Sequence, residues 1–319
     1  MPSFSCTVEQ GVEAGLRLDR YIAEYLKLLS RSQIKARNLE AKLNGKAVKV
    51  SRLLKGGEGL DLFWNEAELT YLIPENLPLD VVYEDERVIV INKAQGMVVH
   101  PGAGNRQGTL ANALLYRRLE KLKEPFSCPQ FPDSDFISSR SQRPGIVHRL
   151  DKDTSGLIIA AWDEKAHAFL SSQFKNRKVR KTYAALVAGC PKENEGCIDK
   201  HIVRSKRDRK IFTVSDTEGR KSITRYKLVH SYGKYSLLLL RPKTGRTHQI
   251  RVHLKYLGTP VLGDPLYGKP DGLYKNASLM LHAKRLSLIL PGNSLIQSFR
   301  TPLPERFLNI MHPERRKTR

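Results

Sequence analysis

The chain has little cysteine, and its four cysteines never fall into a C-x-x-C pair: Cys6, Cys128, Cys190 and Cys197. This scatter indicates neither a zinc site nor a disulfide framework. The chain also lacks an apolar run near the roughly 18 residues that a membrane-spanning helix needs. Its first residues, MPSFSCTVEQ, lack the basic and then apolar order of a signal peptide. We therefore expect a cytoplasmic protein in a reducing environment, with no membrane partner.

Acidic residues are in short supply as well. The chain of 319 residues has 55 Lys and Arg against 32 Asp and Glu, which gives a formal net charge of +23. A surplus of this size favours a polyanionic partner, because phosphate neutralisation releases counterions and drives binding. The plainer interpretation is a basic protein that its charge keeps soluble. We favour nucleic acid, and we expect a monomer.

The first 65 residues differ in pattern from the rest. Leu18, Ile22, Leu26 and Leu29 recur at helical spacing and predict an amphipathic helix. Ser30 and Gln33 form a capping-box pattern that starts a second, basic helix. An Asn-Gly pair at 44–45 predicts a tight hairpin, and the strand LDLFW follows it. We expect a small helix-helix-hairpin domain over residues 1–65, with an acidic, proline-containing linker over 66–78.

Part of this unit resembles a known RNA-binding domain. The run SRSQIK from Ser30 and the run LNGK from Leu43 are similar to the RNA-binding domain of small-subunit ribosomal protein S-four type. The resemblance implies that the second helix and the hairpin lie along an RNA backbone. The residues assigned to that contact are Arg31, Lys35, Arg37, Asn44 and Lys46. A solvated basic helix face is the alternative.

Residues 79–311 are rich in predicted strands. Apolar strand patterns occur in LDVVYEDERVIVINK, GLIIAAW, KTYAALVAG, SITRYKLVH and YSLLLLRP, and helical patterns occur in EKAHAFLSSQF and RTHQIRVHLKYL. Strands outnumber helices and often follow one another, so we predict an α+β fold whose mixed, largely antiparallel sheet has flanking helices. Residues 117–143 show no periodicity and are predicted to form a long surface loop. Residues 312–319 read as a basic tail.

The segment Pro144–Gly156, PGIVHRLDKDTSG, contains the first candidate site. Two glycines bracket a polar run that leads into an apolar strand, and functional residues often lie on such loops. Asp151 is accompanied by His148, Arg149 and Lys152, and nearby cations favour the charged form of a carboxylate. An ionised carboxylate that keeps little water can act as a nucleophile or a base. The alternative is a simple loop salt bridge.

Two further segments carry polar side chains in a suggestive pattern. In RPKTGRTHQIRVHL a helix that starts near Thr247 places His248, Arg251 and Lys255 on one face. This face either contacts an anion near the helix start or is simply solvated. In the strand KTYAALV, Tyr183 is either a packed strand tyrosine or a residue that stacks on a base and lends its hydroxyl to proton transfer.

Taken together, the three segments resemble the RluA/RluD family of pseudouridine synthases. HRLDKDTSG, KTYAALV and GRTHQIRVH stand in that family's order, and NK, GMVVHP and GDPLYG reinforce the match. The resemblance implies that Asp151 is the catalytic aspartate, that Tyr183 is the aromatic residue over the target base, and that Arg251 pairs with Asp151. It implies that Arg149 holds the flipped-out nucleotide or fills the gap it leaves.

We assign a further set of residues around these motifs to RNA contact: His148, Arg149, Lys181, Arg246 and His248. Three features depart from the family pattern, namely Ala94 in place of a proline, Lys243 in place of a glutamate, and a longer 117–143 segment. They bear on the positioning of the RNA rather than on the chemistry. The implied reaction is redox-neutral and needs no group donor, so no cofactor and no metal are expected.

The implied function is the isomerisation of specific uridines, in large-subunit ribosomal RNA or else in transfer RNA. The carboxylate either attacks the anomeric carbon or removes the 2′ proton, and the sequence leaves both routes open. Rival functions are a non-catalytic ribosome-associated protein and a retaining glycosidase, which needs a second carboxylate about 5 Å away. A third rival is a metal hydrolase built on His148, Asp151 and His248, whose arginine neighbours oppose a cation.

Overall fold

The computed structural model describes residues 1–13, 15–65, 72–102, 104–123, 145–205 and 207–312. The chain divides into two compact units, Met1–Thr70 and Tyr71–Arg319. Each unit has a buried apolar core of its own. In the described residues, no helix is long and apolar enough to cross a membrane.

The first unit contains short helices and a small antiparallel sheet. Its helices are α1 (Leu18–Arg20), continued by a π-helical turn over Tyr21–Tyr25, and α2 (Arg31–Ala36). Its strands are β1 (Ser3–Thr7), β2 (Glu40–Leu43), β3 (Lys46–Val48) and β4 (Gly59–Phe63), in the spatial order β1-β4-β2-β3. The prediction lacked β1, which pairs with β4 and so extends the expected hairpin into a four-stranded sheet.

Local sequence explains this unit well. Ser30 and Gln33 form the predicted capping box at the start of α2, with reciprocal side-chain to backbone hydrogen bonds. Asn44 and Gly45 both have positive φ, 47° and 76°, as a type I′ hairpin turn requires. Leu18 and Ile22 are fully buried, as the helical spacing predicted, but the helical turns end at Tyr25, so the predicted helix was wrong at Leu26 and Leu29.

The predicted linker over 66–78 is partly bound to the second unit. The side-chain amide of Asn112 donates to the carbonyl of Ile73 at 2.7 Å, and the amide of Gly108 donates to the carboxylate of Glu75 at 3.0 Å. Asn112 and Gly108 therefore fix this stretch at the start of the helix that contains Asn112. Residues 66–71 lie outside the described residues.

One large sheet forms the framework of the second unit. Its described strands are β5 (Val81–Glu84), β6 (Val88–Lys93), β7 (Ser155–Ala161), β8 (Arg180–Ala188), β9 (Glu195–Arg204), β10 (Phe212–Ser215), β11 (Arg220–Ser231), β12 (Tyr235–Pro242), β13 (Leu281–Ile289) and β14 (Ile296–Arg300). The spatial order is β10-β9-β11-β12-β8-β13-β7-β6-β5, with β14 paired to β13. All described strand pairings are antiparallel except that of β13 with β7. The predicted mixed, largely antiparallel sheet is therefore confirmed.

Helices cover both faces of this sheet. They are α3 (Leu110–Leu122), α4 (Glu164–Lys175), α5 (Gln249–Tyr256) and α6 (Glu305–Met311). Leucines of α3 and α5 share one core with Ile158 of β7, whereas Leu170 of α4 packs with Ile159 on the other face. Strand β7 is buried along its whole length for this reason.

The predicted 117–143 loop was wrong at its beginning. Residues 117–122 form the last part of α3, which starts with a capping box between Thr109 and Asn112. Leu110, Leu114 and Leu119 of this helix are buried, and the sequence interpretation overlooked the helix. Residues 124–143 lie outside the described residues, as do residues 313–319 of the predicted tail.

Candidate active site

The segment that holds Asp151 runs beside β7, where Ile146 forms an antiparallel bridge with Ala160. Gly145 has φ 60°, and a Cβ there would lie 1.7 Å from the carbonyl oxygen of Ala161, so only glycine fits. The carbonyl of Gly145 accepts from the amide of Ala161 at 2.9 Å. His148 Nε2 accepts from the amide of Ile159 at 3.0 Å. These contacts attach the loop to a buried strand and give Asp151 a rigid support.

The Asp151 carboxylate faces two side chains from the start of α5. Arg251 Nη1 lies 3.4 Å from Asp151 Oδ2, and His248 Nε2 lies 3.9 Å from the same oxygen. The Asp151 side chain is 25 % exposed, so one side of the carboxylate remains open to a ligand. The tertiary fold brings together groups that stand about one hundred residues apart in the sequence.

Arg251 has a second and tighter partner that the sequence interpretation missed. Its Nε and Nη2 each donate to the carboxylate of Asp264 at 2.7 Å, and both side chains are buried. Asp264 also accepts from the amides of Leu266 and Tyr267 at 2.9 and 3.0 Å. Burial lowers the pKa of Arg251, but the pair with Asp264 outweighs it and raises the pKa overall. Asp264 thus orients the cation that faces Asp151.

His248 adopts an unusual backbone conformation. The helix predicted from Thr247 begins at Gln249, and His248 precedes it with φ 54°. Its Nδ1 lies 2.9 Å from the hydroxyl oxygen of Tyr267, which turns Nε2 towards Asp151. Burial lowers the pKa of His248, and the opposing charge of Asp151 does not offset that effect. A left-handed non-glycine residue is often retained where function requires its geometry.

Tyr183 lies on β8 and lines the same cavity as Asp151. Only 9 % of the residue is exposed. Burial, with a further contribution from the charge of Asp151, raises the pKa of the Tyr183 phenol. The hydroxyl therefore keeps its proton at neutral pH, and the ring presents a fixed apolar surface beside the carboxylate.

These groups line a cavity of about 470 Å³. That volume is typical of a site for a small ligand or a single nucleotide. Asp151 is the one acidic side chain among the described lining residues, and the cationic ones are Arg149, Lys175, Arg177, Lys181, Lys243, Arg246 and Arg251. The site is therefore one carboxylate among many cations, which suits an anionic ligand.

Two of the cations are partly buried. Burial lowers the pKa of Lys181. Arg246 Nε is buried and has no hydrogen-bond partner among the described residues. A buried donor without a partner is costly, so Arg246 favours an anionic ligand that would bind it.

His148 is placed differently from the other predicted RNA-binding residues of this cavity. Its Nε2 accepts a hydrogen bond from the backbone of β7, and its ring stacks on Phe174 with 4.6 Å between the ring centroids. Burial, helped by the charge of Lys181, lowers the pKa of His148 to about 3. The ring is therefore neutral, and the structure gives it a supporting role in the loop. Among the described residues, no three His, Cys, Asp or Glu side chains are grouped to hold a metal ion.

A buried lysine was also missed as part of the site. Lys93 Nζ donates to the carbonyl oxygens of Ala94, Met97 and Lys152 at 2.8, 2.8 and 3.0 Å. Burial lowers the pKa of Lys93 to about 8. Because Lys152 follows Asp151, this ammonium ties the Asp151 loop to the segment after β6. The motifs containing Lys93 and Asp264 had been noted, but the sequence did not indicate these contacts.

The predicted RNA-binding residues of the first unit do not all have free side chains. Arg31 Nη2 donates to Asp19 at 3.0 Å, and Asn44 Oδ1 accepts from the amide of Gly59 at 2.7 Å. Lys35 and Lys46 are exposed and Arg37 is half-buried. Arg31 and Asn44 thus have internal structural roles, whereas the two lysines face solvent.

Comparisons with known proteins give the family. The model of the family described as RNA pseudouridylate synthase matches residues 87–256. The chain is 43% identical over 302 residues to ribosomal large subunit pseudouridine synthase D of Borreliella burgdorferi, covering 93% of this chain and 89% of the relative. The enzyme of the same name from Haemophilus influenzae is 36% identical, covering 98% and 95%.

A solved structure agrees with this result. The structure of human RNA pseudouridylate synthase domain containing 1 is similar with a TM-score of 0.54 and 28% identity, covering 72% of this chain and 84% of that one. The matched family region includes Asp151, Tyr183 and Arg251. The chain therefore belongs to the RNA pseudouridylate synthase family and is an RNA pseudouridine synthase, an isomerase.

Proposed function

We propose that this enzyme converts specific uridines of large-subunit ribosomal RNA to pseudouridine, with Asp151 as the catalytic carboxylate. The observation that carries the proposal is the position of Asp151, which is the single described acid in a cation-lined cavity of about 470 Å³. The substrate class follows from relatives whose names specify the ribosomal large subunit.

The geometry supports a carboxylate that acts directly on the nucleotide. Asp151 Oδ2 is held 3.4 Å from Arg251 Nη1, and Arg251 is itself fixed by Asp264. The carboxylate either attacks the anomeric carbon or takes the 2′ proton, and in both cases the bond from the sugar to the base nitrogen breaks. The base then rotates and rejoins the sugar through carbon 5, which releases the proton at carbon 5.

The surrounding side chains have distinct tasks in this proposal. Tyr183 packs against the target base and keeps water from the cleaved sugar, since hydrolysis would compete with rejoining. Lys181 and Arg246 bind phosphate oxygens, because both cations are partly buried and none of the described carboxylates pairs with them. Arg149 is exposed at the cavity and contacts the flipped-out nucleotide or the gap it leaves. Extruding a stacked nucleotide costs about a few kcal/mol, which phosphate contacts offset.

The first unit is proposed to bind RNA. Its exposed Lys35 and Lys46 lie on α2 and β3, and the half-buried Arg37 follows α2. Phosphate contacts of this kind position RNA without reading its sequence. The catalytic cavity is formed within the second unit, so this first unit contributes affinity rather than chemistry.

The test uses large-subunit ribosomal RNA labelled with tritium at carbon 5 of uridine. Wild-type enzyme should release tritium and create pseudouridine at mapped positions. RNA from cells without the gene should lack pseudouridine at these positions. Asp151→Asn should abolish release while RNA affinity stays within a few fold, because one carboxylate oxygen does the chemistry and many phosphate contacts hold the RNA.

Asp153→Asn is the matched control, because Asp153 is a neighbouring acid that does not line the cavity. It should keep its turnover. Residual turnover of Asp151→Asn above about one per cent of wild type would exclude the proposed role. Modification of transfer RNA with none of ribosomal RNA would overturn the substrate.

A further inference from the structure

Tyr267 is a buried residue in contact with both of the side chains that face Asp151. The Arg251 guanidinium lies over the Tyr267 ring at 5.1 Å, and His248 Nδ1 lies 2.9 Å from the Tyr267 hydroxyl oxygen. The backbone amide of Tyr267 also donates to the carboxylate of Asp264 at 3.0 Å. Tyr267 is not among the described residues that line the cavity. It therefore supports both of these side chains from outside the cavity.

The hydrogen bonds of the Tyr267 hydroxyl define where its proton lies. The backbone amide of Phe212 donates to the Tyr267 oxygen at 3.0 Å, so the oxygen is the acceptor in that contact and its own proton remains available. Among the described residues, His248 Nδ1 is the other polar atom within hydrogen-bond distance. Burial raises the pKa of the Tyr267 phenol, so the hydroxyl keeps its proton at neutral pH. The Tyr267 hydroxyl therefore donates to His248.

This hydrogen bond selects one tautomer of His248. Burial lowers the pKa of His248, so its ring is neutral and carries a single proton, either on Nδ1 or on Nε2. A proton on Nδ1 would leave the buried Tyr267 hydroxyl without an acceptor among the described residues, and a buried donor without a partner is costly. The proton of His248 therefore lies on Nε2, the nitrogen that faces Asp151.

Two aromatic rings fix the plane of the His248 imidazole. The ring of Phe212 on β10 meets it edge-on at 5.7 Å, and the ring of Tyr267 meets it edge-on at 5.6 Å. With its plane and its Nδ1 contact fixed, the imidazole directs Nε2 at Asp151 Oδ2, 3.9 Å away. Hydrogen bonds in active sites often reach their final length only in the complex with substrate. His248 is therefore a donor that is already aimed at the carboxylate.

The two oxygens of the Asp151 carboxylate have different surroundings. Arg251 Nη1 and His248 Nε2 both face Oδ2, at 3.4 and 3.9 Å. Oδ1 makes no hydrogen bond or ion pair with any group that the structure describes. Donors that stabilise the negative charge of an oxygen make that oxygen less basic. Oδ1 is therefore the oxygen better suited to react.

We propose that Tyr267 fixes His248 as the tautomer protonated on Nε2, and that His248 thereby holds Oδ2 of Asp151 and directs Oδ1 to the nucleotide. This inference rests on the proposed function, in which Asp151 is the catalytic carboxylate. His248 and Tyr267 are positioning residues, because they act through Asp151. Their protons stay in place during the reaction, so the role serves attack at the anomeric carbon and removal of the 2′ proton alike.

The position of the proton is measured by nitrogen NMR on the full chain, labelled at its histidine nitrogens. Protonated and unprotonated ring nitrogens resonate at different frequencies, and the signals of His248 are those that disappear in His248→Gln. Wild type should show Nε2 protonated and Nδ1 unprotonated at neutral pH. In Tyr267→Phe the Nδ1 signal should shift, because Nδ1 no longer accepts from a hydroxyl. A proton on Nδ1 in wild type would overturn the inference.

Turnover on ribosomal RNA tests the role of the Tyr267 hydroxyl. Tyr267→Phe should lower kcat about tenfold, the effect of one lost hydrogen bond, and leave KM within about twofold. The matched control is Tyr235→Phe, because Tyr235 is also buried and its hydroxyl donates to Asp271 at 2.7 Å, outside the cavity. The control should keep its kcat. An equal kcat in the two variants would overturn the role of Tyr267.

Two variants of His248 test the Nε2 donor by loss and by rescue. Asparagine tolerates the left-handed backbone at this position, but its amide falls short of the place of Nε2, whereas glutamine can put an amide nitrogen there. His248→Asn should lower kcat about 100-fold, as the loss of a preorganised donor does. His248→Gln should stay within about tenfold of wild type, with KM little changed in both variants. A raised KM with an unchanged kcat would show that His248 contacts RNA, and would overturn the inference.

The inference and the proposed function fail in different measurements. Turnover that survives in Asp151→Asn would overturn the proposed function and leave the tautomer of His248 standing, since the NMR measurement is made without RNA. Turnover abolished in Asp151→Asn, together with a wild-type His248 protonated on Nδ1, would overturn the inference alone.

Discussion

Arg251 donates two hydrogen bonds of 2.7 Å to Asp264, both partners being buried. Its remaining nitrogen lies 3.4 Å from Asp151, so the same guanidinium bridges a buried acid and the acid of the cavity. Asp264 is in turn held by two backbone amides. The guanidinium beside Asp151 is therefore positioned by Asp264, a residue that does not line the cavity.

Removing either partner of the buried pair should weaken both stability and turnover. We expect Asp264→Ala and Arg251→Ala each to lower the free energy of unfolding by about 3–5 kcal/mol, because the remaining charge is buried without a partner. The double variant should be less destabilised than the sum of the two single variants. Denaturant unfolding of all four proteins measures this coupling.

Turnover measurements distinguish a role of Asp264 in positioning Arg251 from a purely structural role. Asp264→Ala should lower kcat far more than it raises KM, since Arg251 would lose its orientation while the phosphate contacts remain. The measurement is made well below the melting temperature of each variant. A kcat within twofold of wild type would show that Arg251 does not need Asp264 to serve Asp151.

Tyr183→Phe tests the phenol without removing the aromatic ring. Stacking on the base should persist, so KM should stay within a few fold of wild type. We expect kcat to fall by about 100-fold if the hydroxyl serves proton transfer at carbon 5, which is the usual size of such a contribution. Single-turnover release of tritium from carbon 5 measures this step. Unchanged release would restrict Tyr183 to packing against the base.

The pH profile of wild type gives a second test of Tyr183. Burial raises the pKa of its phenol, so the hydroxyl stays protonated through neutral pH. A kcat that depended on the phenolate would rise about tenfold per pH unit up to pH 9 or beyond, since the ionised fraction increases about tenfold with each unit below the pKa. We expect no such rise between pH 7 and 9.

Acid should destabilise the enzyme partly through buried His282. Its Nδ1 and Nε2 lie 2.9 Å from the hydroxyl oxygens of Ser155 and Thr301, and burial, with Arg306 and Lys284 nearby, lowers its pKa to about 4. The unfolded chain takes up this proton below about pH 6.5, whereas the folded protein does not. Unfolding is therefore favoured as the pH falls from 6.5 to about 4.

The expected size is up to about 1.4 kcal/mol per pH unit for this residue within that window. His282→Gln should show a shallower loss of stability on acidification, compared with the exposed-site control His230→Gln. Unfolding free energies at pH 7, 6 and 5 give the slopes. Identical slopes for His282→Gln and wild type would contradict the lowered pKa.

Deleting residues 1–70 tests whether the first unit binds RNA. The remaining chain keeps its own core, together with Ile73 and Glu75, whose hydrogen bonds belong to the second unit. Turnover at saturating RNA should change little, whereas affinity for structured RNA at low salt should fall. The salt slope should decrease in magnitude by about two to three, as expected for three or four lost phosphate contacts.

The control for this deletion is circular dichroism and thermal melting of the shortened protein. A folded protein whose affinity and salt slope equal those of the full chain would show that Lys35 and Lys46 lie on a merely solvated surface. A shortened protein with full affinity and no turnover would contradict the assignment of all chemistry to the second unit.

Local sequence determined much of the secondary structure of this protein. The capping box at Ser30 and the Asn44-Gly45 turn appear where their side-chain chemistry requires them, because caps and tight turns depend on a few neighbouring residues. The succession of strand patterns, which outnumber the helical ones, also predicted the largely antiparallel sheet. Strand β1 was missed because its polar, alternating sequence becomes a strand only through its pairing with β4.

Only the tertiary structure decided the geometry around Asp151. Sequence motifs and the family resemblance indicated Asp151, Tyr183 and Arg251, but no local pattern indicates that Arg251 binds Asp264 more closely than Asp151. Ion pairs, burial and pKa shifts depend on side chains that are distant in the sequence, and they arise only when the sheet brings β7, β8 and α5 together. The neutral state of His148 was decided at the same stage, because the fold places its Nε2 at the amide of Ile159 and its ring on Phe174.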